Sequence, residues 1–160
     1  MIVDAVSKLE SSSFGGFVFV KHGPDSEEFI LKYQRLLRGI PHDMLIGGNE
    51  MTTMEFLSKI DIFISASRSD GSSVSLLEAM AAGKICLVTK NESNEYWIRD
   101  GVNGFTFDNN EFSLLEKINE VLSIPFEHRR QISINAKARV EDEADWSSNS
   151  QKLRDLIETL

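Results

Sequence analysis

Five short apolar runs, each followed by a stretch with helical spacing, constrain this chain more than any other feature. They are Phe17–Val20, Met44–Ile46, Asp61–Ser65, Ile85–Thr89 and Phe105–Phe107, all rich in strong β formers. Strands joined through helices by short connections predict parallel βαβ units, and a series of such units predicts a doubly wound, Rossmann-like α/β sheet. Ile2, Ala5, Val6 and Leu9 share one face of a first helix. Asp25 or Ser26 caps a second, carrying Phe29, Ile30, Tyr33 and Leu36-Leu37 and stopped by Gly39. Met54, Phe56, Leu57 and Ile60 make a short third, and Leu76, Leu77, Met80 and Ala81 lie on a fourth, closed by Gly83. Asn91 to Glu95 opens a short helix through Ile98, and helices follow around Ser113–Leu122 and Pro125–Val140. The last, Trp146–Leu160, has Leu153, Leu156, Ile157 and Leu160 on one face. We read residues 1–160 as one domain, with 141–160 as its closing helix.

Such sheets bind ligands at the carboxyl ends of their strands. The loops Lys21-His22-Gly23, Gly47-Gly48-Asn49 and Ser67 to Ser73 should therefore share one rim. The third holds most of the chemical information. An apolar strand runs into Ser67, Ser69, Asp70, Gly71, Ser72 and Ser73, residues that favour turns and helix caps, and a helix begins where they end. A helix N-terminus offers unpartnered N–H groups at the positive end of its dipole and suits an anion, phosphate most commonly. Gly71 allows close approach to the backbone, and Ser72 or Ser73 can cap the helix or donate to a phosphate oxygen. Glu78, one to two turns in, can accept hydrogen bonds from hydroxyls, and Asp70 stands on the other side of the loop. Acids flanking a phosphate-friendly helix start would suit a nucleotide sugar. A capped helix with Glu78 solvated and Asp70 in a turn fits the same residues, as does a plain tight turn at Gly47-Gly48.

The charge balance narrows the choice of partner. With a formal charge of −8 and no basic cluster, the chain is not built for nucleic acid or an anionic membrane surface. Cys86, alone in Ile85-Cys-Leu-Val88, reads as a buried core thiol. No apolar stretch approaches a membrane span or signal sequence, so a cytoplasmic location is the default. His22, His42 and His128 fit no catalytic role, although His22 could line the rim.

The run Ser69-Asp-Gly-Ser-Ser-Val-Ser-Leu-Leu-Glu-Ala-Met-Ala-Ala-Gly83 closely resembles the signature of retaining GT-B glycosyltransferases, family 4, also called glycosyl transferases group 1. That signature has two acids separated by seven residues, then Ala-Met-Ala and a glycine. The resemblance implies the second, donor-binding domain of a GT-B fold. It implies that Glu78 holds the ribose hydroxyls and that Asp70, in place of the commoner glutamate, contacts the transferred sugar with a reach one methylene shorter. Asp70 and Glu78 would be the catalytic pair, and Gly48, Asn49, Gly71, Ser72, Ser73, Val74, Ser75 and Glu78 the donor-binding residues. Glu95 and Asn103-Gly104 match the family further on, whereas Asn91 to Ser93 replace its glycines.

The implied activity is transfer of a sugar from a UDP- or GDP-sugar to a glycan or lipid acceptor with retention of configuration, without a metal or other cofactor. The resembling enzymes also have an N-terminal acceptor-binding domain, and their donor domain begins with a central strand ending in Gly-Arg, followed by Lys-Gly. Met1-Ile-Val-Asp4 reads as already inside the helix after that strand. The expectation is therefore a domain lacking the family's first strand and its phosphate-clamping Arg and Lys, for which Lys21, Lys90 and Arg68 stand in only weakly. Two strands would then close on each other, take a strand from another chain by association, or stay exposed. Such a chain alone would have little or no transferase activity, and the full-length enzyme could sit peripherally on the inner face of the membrane. Two other readings remain: a nucleotide-sugar binding or assembly module without activity of its own, and a phosphoacceptor domain of the response-regulator type, which would need an aspartate at a strand's carboxyl end where Asp61 instead begins one.

Overall fold

The computed structural model describes residues 1–9, 18–22, 27–38, 42–46, 52–69, 71, 73–144 and 146–158. Helices and strands alternate as expected: α1 (Ile2–Ser7), β1 (Val18–His22), α2 (Glu27–Leu36), β2 (His42–Ile46), α3 (Thr53–Ser58), β3 (Ile62–Ser65), α4 (Val74–Ala81), β4 (Ile85–Thr89), α5 (Glu92–Trp97) and β5 (Phe105–Phe107). Three helices close the order, α6 (Glu111–Ser123), α7 (Phe126–Ala144) and α8 (Trp146–Glu158). All strand pairs are parallel, β1 with β2 in one sheet and β3-β4-β5 in another.

The three-stranded sheet is covered on both faces, because successive residues of a strand point to opposite sides. Ile62, Ile64, Ile85, Leu87, Phe105 and Phe107 face a core built with Val3 and Val6 of α1 and Leu114, Ile118 and Val121 of α6. Phe63, Cys86 and Val88 face the other layer, with Phe56 and Leu57 of α3, Leu76, Ala79 and Met80 of α4, Trp97 of α5 and Ala136 of α7. Each fully buried side chain of this size contributes about 1.5–3 kcal/mol relative to exposure. β4, with neighbours on both edges, is buried at every position.

The Asp61–Ser65 run forms a strand that begins at Ile62. β3 is half-buried along its whole length, and Asp61 stands exposed before it. The physical reason is its pairing: among the described residues β3 has a partner only on the β4 side. Among the described residues β1 and β3 do not pair with each other. Smaller differences are in bounds. β1 ends at His22, β2 already begins at His42, and α7 continues to Ala144. The expected loop at 11–16, Phe17, the cap at Asp25 or Ser26, Gly39 and Leu160 lie outside the described residues.

Two turns are held by specific chemistry. α4 ends as a Schellman motif, with Lys84 N–H donating to Ala79 O and Gly83 N–H to Met80 O, each at 2.9 Å. This requires Gly83 at φ +68°, where a side chain is strained. Between α5 and β5 the chain reverses over 98–104. There the buried Asn103 accepts from Arg99 N–H at 2.7 Å and donates to Trp97 O at 2.9 Å.

Candidate functional site

α4 begins at the carboxyl end of β3, and Ser73 is its N-cap. The Ser73 Oγ accepts from Leu76 N–H at 3.4 Å, and its carbonyl accepts from Leu77 N–H at 3.1 Å. Ser73 itself is buried, so of the two serines considered for the cap this one is committed to it. Val74 and Ser75 are the first two helical residues and their N–H groups have no intrahelical acceptor. Ser75 Oγ lies 3.1 Å from Ser73 Oγ.

The apolar residues of α4 decide which of its faces is open. Leu76, Ala79 and Met80 are buried, which turns Val74, Ser75 and Glu78 outwards as one exposed stripe. The Glu78 side chain makes no hydrogen bond or ion pair among the described residues; its carbonyl accepts from Ala82 N–H at 2.9 Å within the helix. Gly71 is exposed in front of the helix, and a Cβ placed on it would meet nothing within 4 Å. It does not have a positive φ either. Neither internal packing nor backbone conformation among the described residues calls for a glycine there; open backbone is what it provides. Asp70, Ser72, Gly48 and Asn49 lie outside the described residues.

The loop before α4 is tied down by residues that sequence reasoning did not assign. The buried Thr89 hydroxyl at the end of β4 donates to Ser67 O, and Asn91 Nδ2 donates to the same carbonyl at 3.4 Å. Ser93 Oγ donates to Gly71 O. Asn91 Oδ1 also caps α5, accepting from Asn94 N–H at 2.9 Å, while the buried Asn94 donates to Thr89 O at 2.7 Å. The residues that stand where the resembling family has glycines thus brace the β3–α4 loop from the next strand's end. Their signal in sequence was the polar series Thr89, Asn91, Ser93, Asn94 at a strand's carboxyl end, on the same rim as the loop.

Cations near this rim are sparse. Arg68 and Lys90 are exposed, and neither side chain makes an ion pair among the described residues. Lys21 is the penultimate residue of β1. Burial pushes the Cys86 thiol up to about 12, so it remains a protonated core group. Asp61 stands at the amino end of β3, the end opposite to the rim, where an acceptor aspartate could not serve. His42 opens β2 and His128 lies in the first turn of α7. Among the described residues no three His, Cys, Asp or Glu side chains come together to hold a metal, and no helix is long and apolar enough to cross a membrane. Chemically, the mouth of α4 can receive an anion on its free N–H groups while Glu78 accepts hydrogen bonds from hydroxyls one turn away.

The fold is that of solved glycosyltransferase domains. Anabaena HepE, solved with UDP and glucose, superposes with a TM-score of 0.78 at 16% identity over 99% of this chain and 44% of its own. Sucrose-phosphate synthase from Thermosynechococcus elongatus gives 0.82 at 15% identity over 99% of this chain and 41% of its own. The C-terminal domain of LpcC, a glycosyl transferase group 1 family protein from Francisella tularensis, gives 0.75 at 18% identity over 91% of this chain and 78% of its own. The chain spans less than half the length of HepE and of the synthase. Its architecture is the α/β, Rossmann-like C-terminal domain of a GT-B fold. No curated protein sequence matches it significantly. Residues 1–139 match the family described as Glycosyl transferases group 1, and the chain belongs to that family.

Proposed function

We propose that this chain binds the nucleoside diphosphate sugar donor of a glycosyltransferase, with the diphosphate at the mouth of α4 and the ribose on Glu78. The observation that carries this reading is the exposed Glu78 carboxylate, without a hydrogen bond or ion pair among the described residues, on the same stripe as the first-turn N–H groups of Val74 and Ser75, which have no intrahelical acceptor. A carboxylate left unspent in front of a helix mouth that favours phosphate supplies both halves of the recognition such a donor needs. HepE, which shares the fold, has been solved with UDP and glucose and with UDP-glucose. That likeness supports a uridine donor, with a guanosine donor as the alternative.

In the same reading Asp70 positions the transferred sugar, and Gly48 with Asn49 lies against the base. Ser72 and Ser73 complete the phosphate cradle beside Gly71. The helix N–H groups stabilise the leaving diphosphate without a metal, and the sugar passes to a glycan or lipid acceptor with retention, as the signature from Ser69 to Gly83 implies. A nucleotide-sugar binding module without activity of its own would use the same residues and differ only in turnover.

Calorimetric titration with UDP tests the assignment. Glu78→Gln keeps the shape but removes the charge of an exposed group whose side chain makes no hydrogen bond or ion pair among the described residues, so the fold should be unchanged. One charge-assisted hydrogen bond is worth about 1.5–3 kcal/mol, and affinity should fall about tenfold or more. Equal affinity in the two proteins would remove the ribose from Glu78.

A further inference from the structure

Apart from the mouth of α4 the fold forms a cavity of about 390 Å³ between the C-terminal end of α5, the 98–104 reversal and the middle of α7. That is within the range of about 300–1,000 Å³ usual for small-molecule sites. Its walls include Tyr96, Trp97, Arg99, Asp142, Glu95 and Arg139. We propose that this cavity is a second binding site, for a neutral saccharide unit.

The first observation is an unspent donor. Trp97 is 7% exposed, yet its Nε1 is buried without a hydrogen-bond partner. A buried indole N–H normally finds one, and a purely apolar side chain would fill the core equally well without that donor. The second is the set of open polar groups that line the same cavity. The Arg99 guanidinium and the carboxylates of Glu95 and Asp142 have no hydrogen bond or ion pair among the described residues. Arg139, by contrast, is fixed: it pairs with Glu143, donates to Tyr96 O at 3.0 Å and stacks 5.3 Å from the Tyr96 ring centroid. Tyr96 OH donates to Glu143 Oε2 at 2.8 Å, and its ring meets Trp97 edge-on at 5.1 Å. The aromatic wall is therefore held in place before any ligand arrives.

Charge selects the ligand class. Arg139 is already neutralised by Glu143, which leaves the Arg99 guanidinium against the carboxylates of Glu95 and Asp142, so an anion gains nothing from the open groups as a whole. Free donors and free acceptors together, beside a half-open aromatic ring, match the hydroxyls and C–H face of a neutral sugar. The site uses no residue of the proposed donor site, and its occupancy does not depend on that assignment.

Amide and indole NMR on the whole chain tests this, with methyl α-glucoside, methyl α-mannoside and maltotriose as probes and inorganic phosphate as the anion. We expect the Trp97 Nε1–H signal and the amides of 95–103 to shift with at least one saccharide and not with phosphate. Arg99→Ala and Asp142→Asn, both at exposed positions, should each weaken that binding about tenfold. Trp97→Phe should weaken it while leaving the fold's amide pattern intact. Silence of the indole signal with all three saccharides, a response to phosphate in their place, or unchanged affinity in both the Arg99 and Asp142 variants would overturn the proposal.

Discussion

Replacing Thr89 by valine should loosen the β3–α4 loop without opening a cavity. Thr89 is 1% exposed, and its hydroxyl donates to Ser67 O, which otherwise receives only the 3.4 Å bond from Asn91 Nδ2. Valine fills the same volume, so the loss is that of the hydrogen bond and of the partial orphaning of the carbonyl, about 1–2 kcal/mol. With a urea dependence of about 2 kcal/mol/M, the unfolding midpoint should fall by roughly 0.5–1 M. Asn91→Asp keeps the Oδ1 that caps α5 but puts a carboxylate oxygen in place of the Nδ2 donor that faces Ser67 O, a repulsion partly offset by negative charge at the start of α5, so alone it should cost about 1 kcal/mol or less. The double variant leaves Ser67 O with neither donor, and its loss should exceed the sum of the single losses by about 1 kcal/mol. UDP affinity should weaken in the same order, since this loop leads into the mouth of α4. An unchanged midpoint for Thr89→Val, or strict additivity in the cycle, would refute the bracing role of the β4 end.

Gly104→Ala would bring a Cβ to 2.8 Å from Ile98 Cδ1 and 3.0 Å from Cys86 O. Overpacking of this kind typically costs about 1–3 kcal/mol, and thermal unfolding should show it as a lower midpoint. Gly83→Ala combines φ +68° with a 3.0 Å approach to Ser133 Oγ and should lose about 1–2 kcal/mol by the same measurement. The Cys86 thiol ionises near 9.0 when unfolded and only at about 12 when buried. Its folded pKa is the raised one, so its contribution is complete below pH 9 and is lost as the pH rises from there towards 12. Cys86→Ala should flatten that alkaline slope, by up to about 1.4 kcal/mol per pH unit, in denaturation followed against pH. Hydrogen exchange should protect the amides of β4 throughout but leave every second amide of β3 fast, because β3 is paired on one edge.

The order of elements was legible because each strand is a short run of β formers and each helix has its own apolar stripe. Alternation along Ile85 to Val88 even separates the two core layers. The burial of β3 was not legible from Ile62-Phe63-Ile64, since burial depends on which edges are paired and a run of apolar residues reads the same with one neighbour or two. The start of α4 was legible from Gly71 and Ser73, whose residue types carry their turn and cap chemistry locally. Thr89, Asn91 and Ser93 were missed as a brace because their partners, Ser67 and Gly71, are more than twenty residues away in sequence. The orphaned N–H of Trp97 is visible only once its neighbours are placed.

The most direct test of donor binding at the mouth of α4 is a two-dimensional amide NMR titration with UDP and then GDP. The account expects shifts concentrated at Gly71 and Ser73 to Glu78, with one nucleotide preferred and Glu78→Gln weakening it. Well-dispersed spectra in which neither nucleotide moves those amides, or in which the shifts fall elsewhere on the sheet, would contradict it.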